Sequence, residues 1–177
     1  MHLQANEEYG LRCLLQVAGA TPAGDGRASD PASTAPVPIA EIARAEGLSV
    51  EYTAKLMRQL RLAGLVESVR GSCGGYRLSR PASSVTVWNA LQALGGEPFP
   101  EDFCACHPGQ QRECVRSTDC ALRALWQTVK RNLQQTLHAI TLDDLRRDER
   151  AMTIWLDDGS PAHGAFRDAF SKETPCS

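Results

Sequence analysis

Residues 47–81 read GLSVEYTAKLMRQLRLAGLVESVRGSCGGYRLSRP, and the order of signals in this stretch decides the fold. Gly47 is a helix stop able to take the left-handed cap position, and Ser49 is an N-cap for the helix that follows. Tyr52, Leu56, Leu60 and Ala63 then recur at helical steps, which predicts one apolar face. Leu65 to Val69 alternates, RGSCGG occupies 70–75, and Tyr76 to Ser79 alternates again before Pro81 ends the pairing. That pattern predicts a β-hairpin with an exposed, basic, glycine-rich tip.

Immediately upstream, Pro38 opens a short helix with Ile39, Ile42 and Ala43 on its apolar side, ending at Gly47. Two short helices joined by a tight glycine turn make a helix-turn-helix, and the hairpin behind it is a wing. Further out, Asn6 is a candidate cap for a first helix with Glu7 and Glu8 in its first turn. Tyr9, Leu11, Cys13, Leu14, Leu15, Val17 and Ala18 carry this helix to about Gly19. Residues 19–37 are nearly all Gly, Ala, Pro, Ser, Asp and Thr, the composition of a flexible insert. Downstream, Thr86 opens the helix VWNALQAL, which Gly95 and Gly96 terminate. A long helix runs from Cys120 to Ile140 with Leu122, Leu125, Trp126, Val129, Leu133 and Leu137 in one stripe. After a short helical DDLRR the period is lost, and 148–177 are expected to form a weakly ordered tail.

The fold class is therefore mainly α with a small β-hairpin wing. The expected division is a winged helix-turn-helix DNA-binding domain over 1–96, a cysteine-rich loop over 97–120, a dimerisation helix region over 121–147, and the tail. The chain has 177 residues, 42% of them hydrophobic and 23% charged, which suits one packed domain with appendages. Charged residues interrupt every apolar run, so no membrane-spanning helix is expected. No basic segment followed by an apolar core opens the N-terminus, and a cytoplasmic location is expected. No nucleophile–base pair, phosphate loop or paired carboxylates stand out, so an enzyme is not expected.

The net charge of −2 does not by itself announce nucleic acid, but its distribution does. Residues 48–80 hold Lys55, Arg58, Arg61, Arg70, Arg77 and Arg80 against Glu51 and Glu67, six cations to two carboxylates, a local net of +4. A cationic recognition helix and wing suit a phosphate backbone, so double-stranded DNA is the expected partner. Ser49, Glu51, Tyr52, Lys55, Arg58, Arg61, Arg70, Gly71, Gly74, Gly75 and Tyr76 are the expected contacts. Glycines at the tip let backbone amides approach a phosphate, while Arg70 suits a narrow minor groove. The competing account is a solvated surface or a partner-docking winged domain, which would lack strong salt dependence.

Seven cysteines occur, four of them in CACHPGQQRECVRSTDC at 104–120. Clustered soft donors ahead of a helix are what an iron–sulfur cluster needs. A four-cysteine zinc site is the chemical rival, although C-x-C followed by gaps of seven and five departs from paired zinc spacings. Cys13 lies on an apolar face and reads as core, and Cys73 reads as an exposed wing thiol.

The segment from Gly47 to Gly96, the opening MHLQANEEYGLRCLL and the later CALRALWQTVKRNLQQTLHAITLDDL together resemble the Rrf-type winged helix-turn-helix regulators. This bacterial family includes the iron–sulfur regulator IscR and the nitric-oxide sensor NsrR. The resemblance covers residues 1–147 apart from the long insert at 19–37. It implies a homodimer that represses or activates promoters, modulated by a 4Fe–4S or 2Fe–2S cluster responding to redox state, nitric oxide or iron–sulfur status. It also implies Cys114 and Cys120 as ligands, with Cys106 favoured for the first thiolate and Cys104 as its alternative. IscR-like sequences carry a histidine three residues after the last cysteine, where this chain has Arg123. That departure disfavours IscR-type ligation. Glu8 stands where NsrR-like sensors carry an acidic ligand reaching across the dimer, with His107 as the competing fourth donor.

Overall fold

The computed structural model describes residues 4–20, 35–71, 74–95 and 120–157. Helix α1 (Ala5–Gly19) begins two residues earlier than the Asn6 cap predicts, with Gln4 as its N-cap. The Gln4 backbone N–H donates to Glu7 Oε2 at 2.9 Å, a charge-assisted cap that leaves the Asn6 side chain for a tertiary contact. Helix α2 (Ile39–Glu46) ends at Gly47, whose φ of 66° is the left-handed stop expected of it. Helix α3 (Val50–Leu62) starts at Ser49, whose side chain accepts from the Tyr52 amide. Its inward face is Thr53, Leu56, Met57 and Leu60, rotated from the predicted stripe so that Tyr52 is half-buried and Ala63 exposed.

The wing is an antiparallel pair, β1 (Val66–Val69) and β2 (Gly75–Leu78), with Val66 opposite Leu78 and Val69 opposite Gly75. Val37 adds a third, one-residue rung: its N–H donates to the Tyr76 carbonyl at 2.8 Å and its carbonyl accepts from the Tyr76 N–H at 2.9 Å. The residue that closes the 19–37 insert is thereby stitched to the wing. Gly75 permits this approach, since a Cβ there would collide with the Val37 carbonyl.

Helix α4 (Val87–Ala93) opens with the predicted Thr86 cap, which accepts from the Asn89 amide at 3.2 Å while Asn89 Oδ1 accepts from the Thr86 N–H at 3.2 Å. One core unites these pieces. Cys13, Leu14 and Val17 of α1, Ile42 of α2, Leu56, Met57 and Leu60 of α3, Val66, Val85 and Leu142 all lie within it. Their removal from water at about 25 cal/mol per Å² of apolar surface is the main force holding helix-turn-helix, wing and α1 together.

Helix α5 (Ala121–Ala139) behaves differently, for none of its residues is buried. Its chain returns to the core immediately afterwards. The Val87 N–H donates to the Ile140 carbonyl and the Leu142 N–H to the Val85 carbonyl, both at 2.9 Å, and Leu142 is fully buried. Asp144 locks this return by accepting from the Thr141 N–H at 3.0 Å and from the Thr141 hydroxyl at 2.6 Å. The expected weakly ordered tail needs correction at its start. Residues Glu149–Asp157 form helix α6, whose Met152, Trp155 and Leu156 pack on Val87, Leu91 and Ile140. Partial burial of these three apolar residues at helical spacing, with Arg147 stacked over the Trp155 ring at 5.0 Å, holds a helix too short to stand alone. Residues 158–177 lie outside the described part.

Candidate functional site

The outward face of α3 carries Glu51, Lys55, Arg58 and Arg61, all exposed, opposite the buried Leu56, Met57 and Leu60. Ser49, also exposed, spends its side chain on capping the helix. Arg70 and Gly71 at the wing tip are exposed as well. Gly71 holds a φ of 121°, and its carbonyl accepts from the Gly74 N–H at 3.0 Å. Between the wing and the start of α2 lies an open groove of about 420 Å³, lined by Pro38, Ile39, Val69, Arg70, Gly71 and Tyr76. Gly74, Gly75 and Tyr76 are half-buried in this wing, with the Tyr76 backbone held by Val37.

The broader basic patch expected from residues 48–80 contracts. Arg77 Nε donates to Glu67 Oε1 at 2.5 Å across the hairpin, so this cation and carboxylate neutralise one another. Arg80 is half-buried and donates to Asn89 Oδ1 at 3.2 Å, which makes it a brace between wing and α4. What remains outward is one compact row, Lys55, Arg58 and Arg61 on α3 with Arg70 on the wing.

Tyr52 faces α1 with its ring packed edge-on against Tyr9 at 6.1 Å, and its hydroxyl donates to Asn6 Oδ1 at 2.9 Å. Behind it Arg12 stacks over Tyr9 at 5.5 Å and donates to Glu46 Oε2 at 2.6 Å, while Gln16 donates to Glu46 Oε1 at 2.6 Å. Glu46 holds the Arg12 guanidinium firmly in its charged form, above its ordinary range. A continuous polar seam thus fixes α1 against α2 and α3. Sequence reading missed this seam, because its partners are some thirty to forty-six residues apart and no local pattern pairs them.

For the cluster ligands, Cys104, Cys106, His107 and Cys114 lie outside the described residues, as does Cys73. Cys120 is half-exposed at the N-cap of α5, and its carbonyl accepts from the Arg123 and Ala124 amides. The residue thus stands at the N-terminal end of a 19-residue helix. Glu8 is exposed on α1. Cys13 is fully buried; burial, and then the nearby Glu46, push its thiol up to about 11, so it stays protonated and serves as core. Among the described residues no three metal-ligating side chains converge, and Cys120 and Glu8 are both accessible to solvent.

A family model described as Rrf2, iron-dependent transcriptional regulator, matches residues 3–148. The transcriptional regulator IscR of Photobacterium profundum is 32% identical over 154 residues, covering 87% of this chain and 80% of that protein. Among solved structures, T. potens IscR superposes with a TM-score of 0.60 at 28% identity, over 85% of this chain and 90% of that one. CymR, the global cysteine regulator of B. subtilis, superposes with a TM-score of 0.61 at 27% identity, over 82% of this chain and 95% of that one. The winged helix-turn-helix, the exposed row on its third helix and these likenesses converge: the chain belongs to the Rrf2 family of DNA-binding transcription regulators.

Proposed function

We propose that this regulator binds operator DNA as a homodimer and that an iron–sulfur cluster in its cysteine loop modulates that binding. The exposed row of Lys55, Arg58 and Arg61 on α3 with Arg70 on the wing carries the DNA part of the reading. In this arrangement α3 enters a major groove while Arg70 and the exposed Gly71 backbone grip the neighbouring phosphates and minor groove. Tyr52 positions the helix from behind, through Asn6 and Tyr9, and Tyr76 holds the wing. The test is retention of duplex DNA as salt rises. Arg70→Ala should weaken binding and lower the salt slope by roughly one counterion. An unchanged slope with full affinity would take the wing out of the interface.

For the cluster, Cys106, Cys114 and Cys120 are proposed to supply thiolates and the partner's Glu8 an oxygen donor, with Cys104 and His107 as alternates. The accessible position of Cys120 and Glu8 supports this set, and the sealed position of Cys13 removes that residue from it. A bound 4Fe–4S or 2Fe–2S core would supply a centre responsive to oxidants or nitric oxide. Within the chain, Glu8 shares α1 with Asn6, Tyr9 and Arg12, so the helix bearing the oxygen donor is the one bonded to α2 and α3. Anaerobic purification with iron and sulfide analysis and Mössbauer spectroscopy tests the reading. A colourless protein that binds zinc would replace it with thiol or zinc chemistry, a second reading favoured by the likeness to CymR.

A further inference from the structure

Glu51 is the one acidic side chain in the exposed row of α3, directly where a polyanion is proposed to lie. It occupies the second position of the helix, next to exposed Val50 and one turn before Lys55. The usual account of Glu at the start of a helix is attraction to the helix dipole, and of Glu four residues before Lys a surface ion pair. The ion pair does not form: none of the ion pairs among the described residues joins Glu51 to Lys55. Instead hydrogen bonding from its own backbone N–H, and then from the Ser49 hydroxyl, lowers the Glu51 carboxyl below its ordinary range.

An ionised carboxylate brought against DNA loses water and gains repulsion from the phosphates. Binding tolerates it only where the DNA presents a donor. In the major groove the amino groups of cytosine and adenine are the donors. Adenine sets its amino group beside the N7 acceptor, which repels a carboxylate, while guanine and thymine present acceptors. We propose that Glu51 is a specificity-determining residue that accepts a hydrogen bond from the N4 amino group of a cytosine at one fixed position of each operator half-site. This rests on α3 being the DNA-reading helix. Lys55 and Arg58 supply attraction along the same face, and Glu51 supplies choice, penalising every half-site that puts an acceptor or methyl group at its position.

The experiment uses the full-length protein, prepared anaerobically, to select from a pool of randomised duplexes, with Glu51→Ala and Glu51→Gln selected in parallel. Circular dichroism and thermal melting establish that both variants fold. The wild type should enrich cytosine at one position per half-site. Both variants should lose that preference, by roughly 5- to 150-fold between cytosine and the other bases, while neighbouring positions keep theirs. Their affinity for unselected DNA should rise, because a repelling charge is gone. Retained cytosine preference in both variants, or a wild-type selection with no position that responds to Glu51, overturns the assignment while leaving α3 in the groove. A wild type that retains no duplex overturns the DNA-reading arrangement itself.

Discussion

Cys13 and Cys120 carry the same side chain in opposite surroundings. Cys13 is sealed in the core with its thiol pushed up to about 11, so at pH 8 roughly one molecule in a thousand holds the reactive thiolate. Iodoacetamide at that pH should leave Cys13 unmodified in the native protein and label it after denaturation, as read by peptide mass spectrometry. Native labelling of Cys13 as fast as Cys120 would contradict its placement in the core. At Asp144, burial pushes the carboxyl up, but the Thr141 hydroxyl and amide together with Arg147 outweigh it, leaving it below the usual range. A carboxyl lowered on folding supports the fold above its unfolded value, near pH 4, and that support fades as pH falls through its native value. Asp144→Asn should cost about 1 kcal/mol and lower Tm by roughly 2–4 °C near pH 7, with the deficit shrinking in acid. A deficit of constant size down to pH 3 would refute this role. The residues of the exposed cationic row were legible in the sequence, because charge on a helix face needs no tertiary knowledge. The commitments of Arg77, Arg80 and Tyr52 were not, since each depends on a partner brought near by folding. Of the proposed ligands, the sequence alone speaks for Cys106 and Cys114, whereas Cys120 and Glu8 also have a position in the structure.

The wing is a hairpin made three-stranded by a single residue. Val37 stands between Pro36 and Pro38, neighbours that argue against a strand, so nothing in the pattern foretold its pairing. Gly75→Ala should break it by forcing a methyl into the Val37 carbonyl, at about 1–3 kcal/mol. Hydrogen exchange at Val37 and Tyr76 should accelerate and DNA affinity fall. Gly19→Ala, where a Cβ meets open space, serves as the control and should leave both unchanged. The helix-turn-helix itself was plain from its punctuation, for Gly47, Ser49 and Thr86 each occupy the cap their chemistry predicts. Helix α6 escaped because three inward-facing residues in nine make too brief a period, and its stability comes from the surface formed by α4 and the end of α5.

The molecule as a whole sets a well-packed winged domain beside a long helix that touches it at its C-terminal end, through Leu137 and Ala139, and has no fully buried residue. Leu122, Leu125, Trp126 and Val129 of α5 are 57%, 49%, 37% and 37% exposed, an apolar strip that a water-facing helix does not keep at no cost. A second copy packing strip to strip would cover it and set two α3 helices in line with the half-sites of a pseudo-palindrome. Leu125→Glu should therefore give a monomer in sedimentation at micromolar concentration and DNA binding weakened by at least tenfold, with the winged domain still folded. A dimer that survives this change would place the interface elsewhere.

The connection between α1 and α2 has its two ends moored independently, one by the core packing of Val17 and Ala18 and the other by the Val37 rung on the wing. Closure entropy depends on the logarithm of length, so doubling or halving such a tether shifts stability by about 0.6 kcal/mol. A change in the length of this span therefore needs no retuning of the winged domain. An engineer has that freedom: a fluorescent reporter spliced in here would ride next to the wing while asking nothing new of the fold.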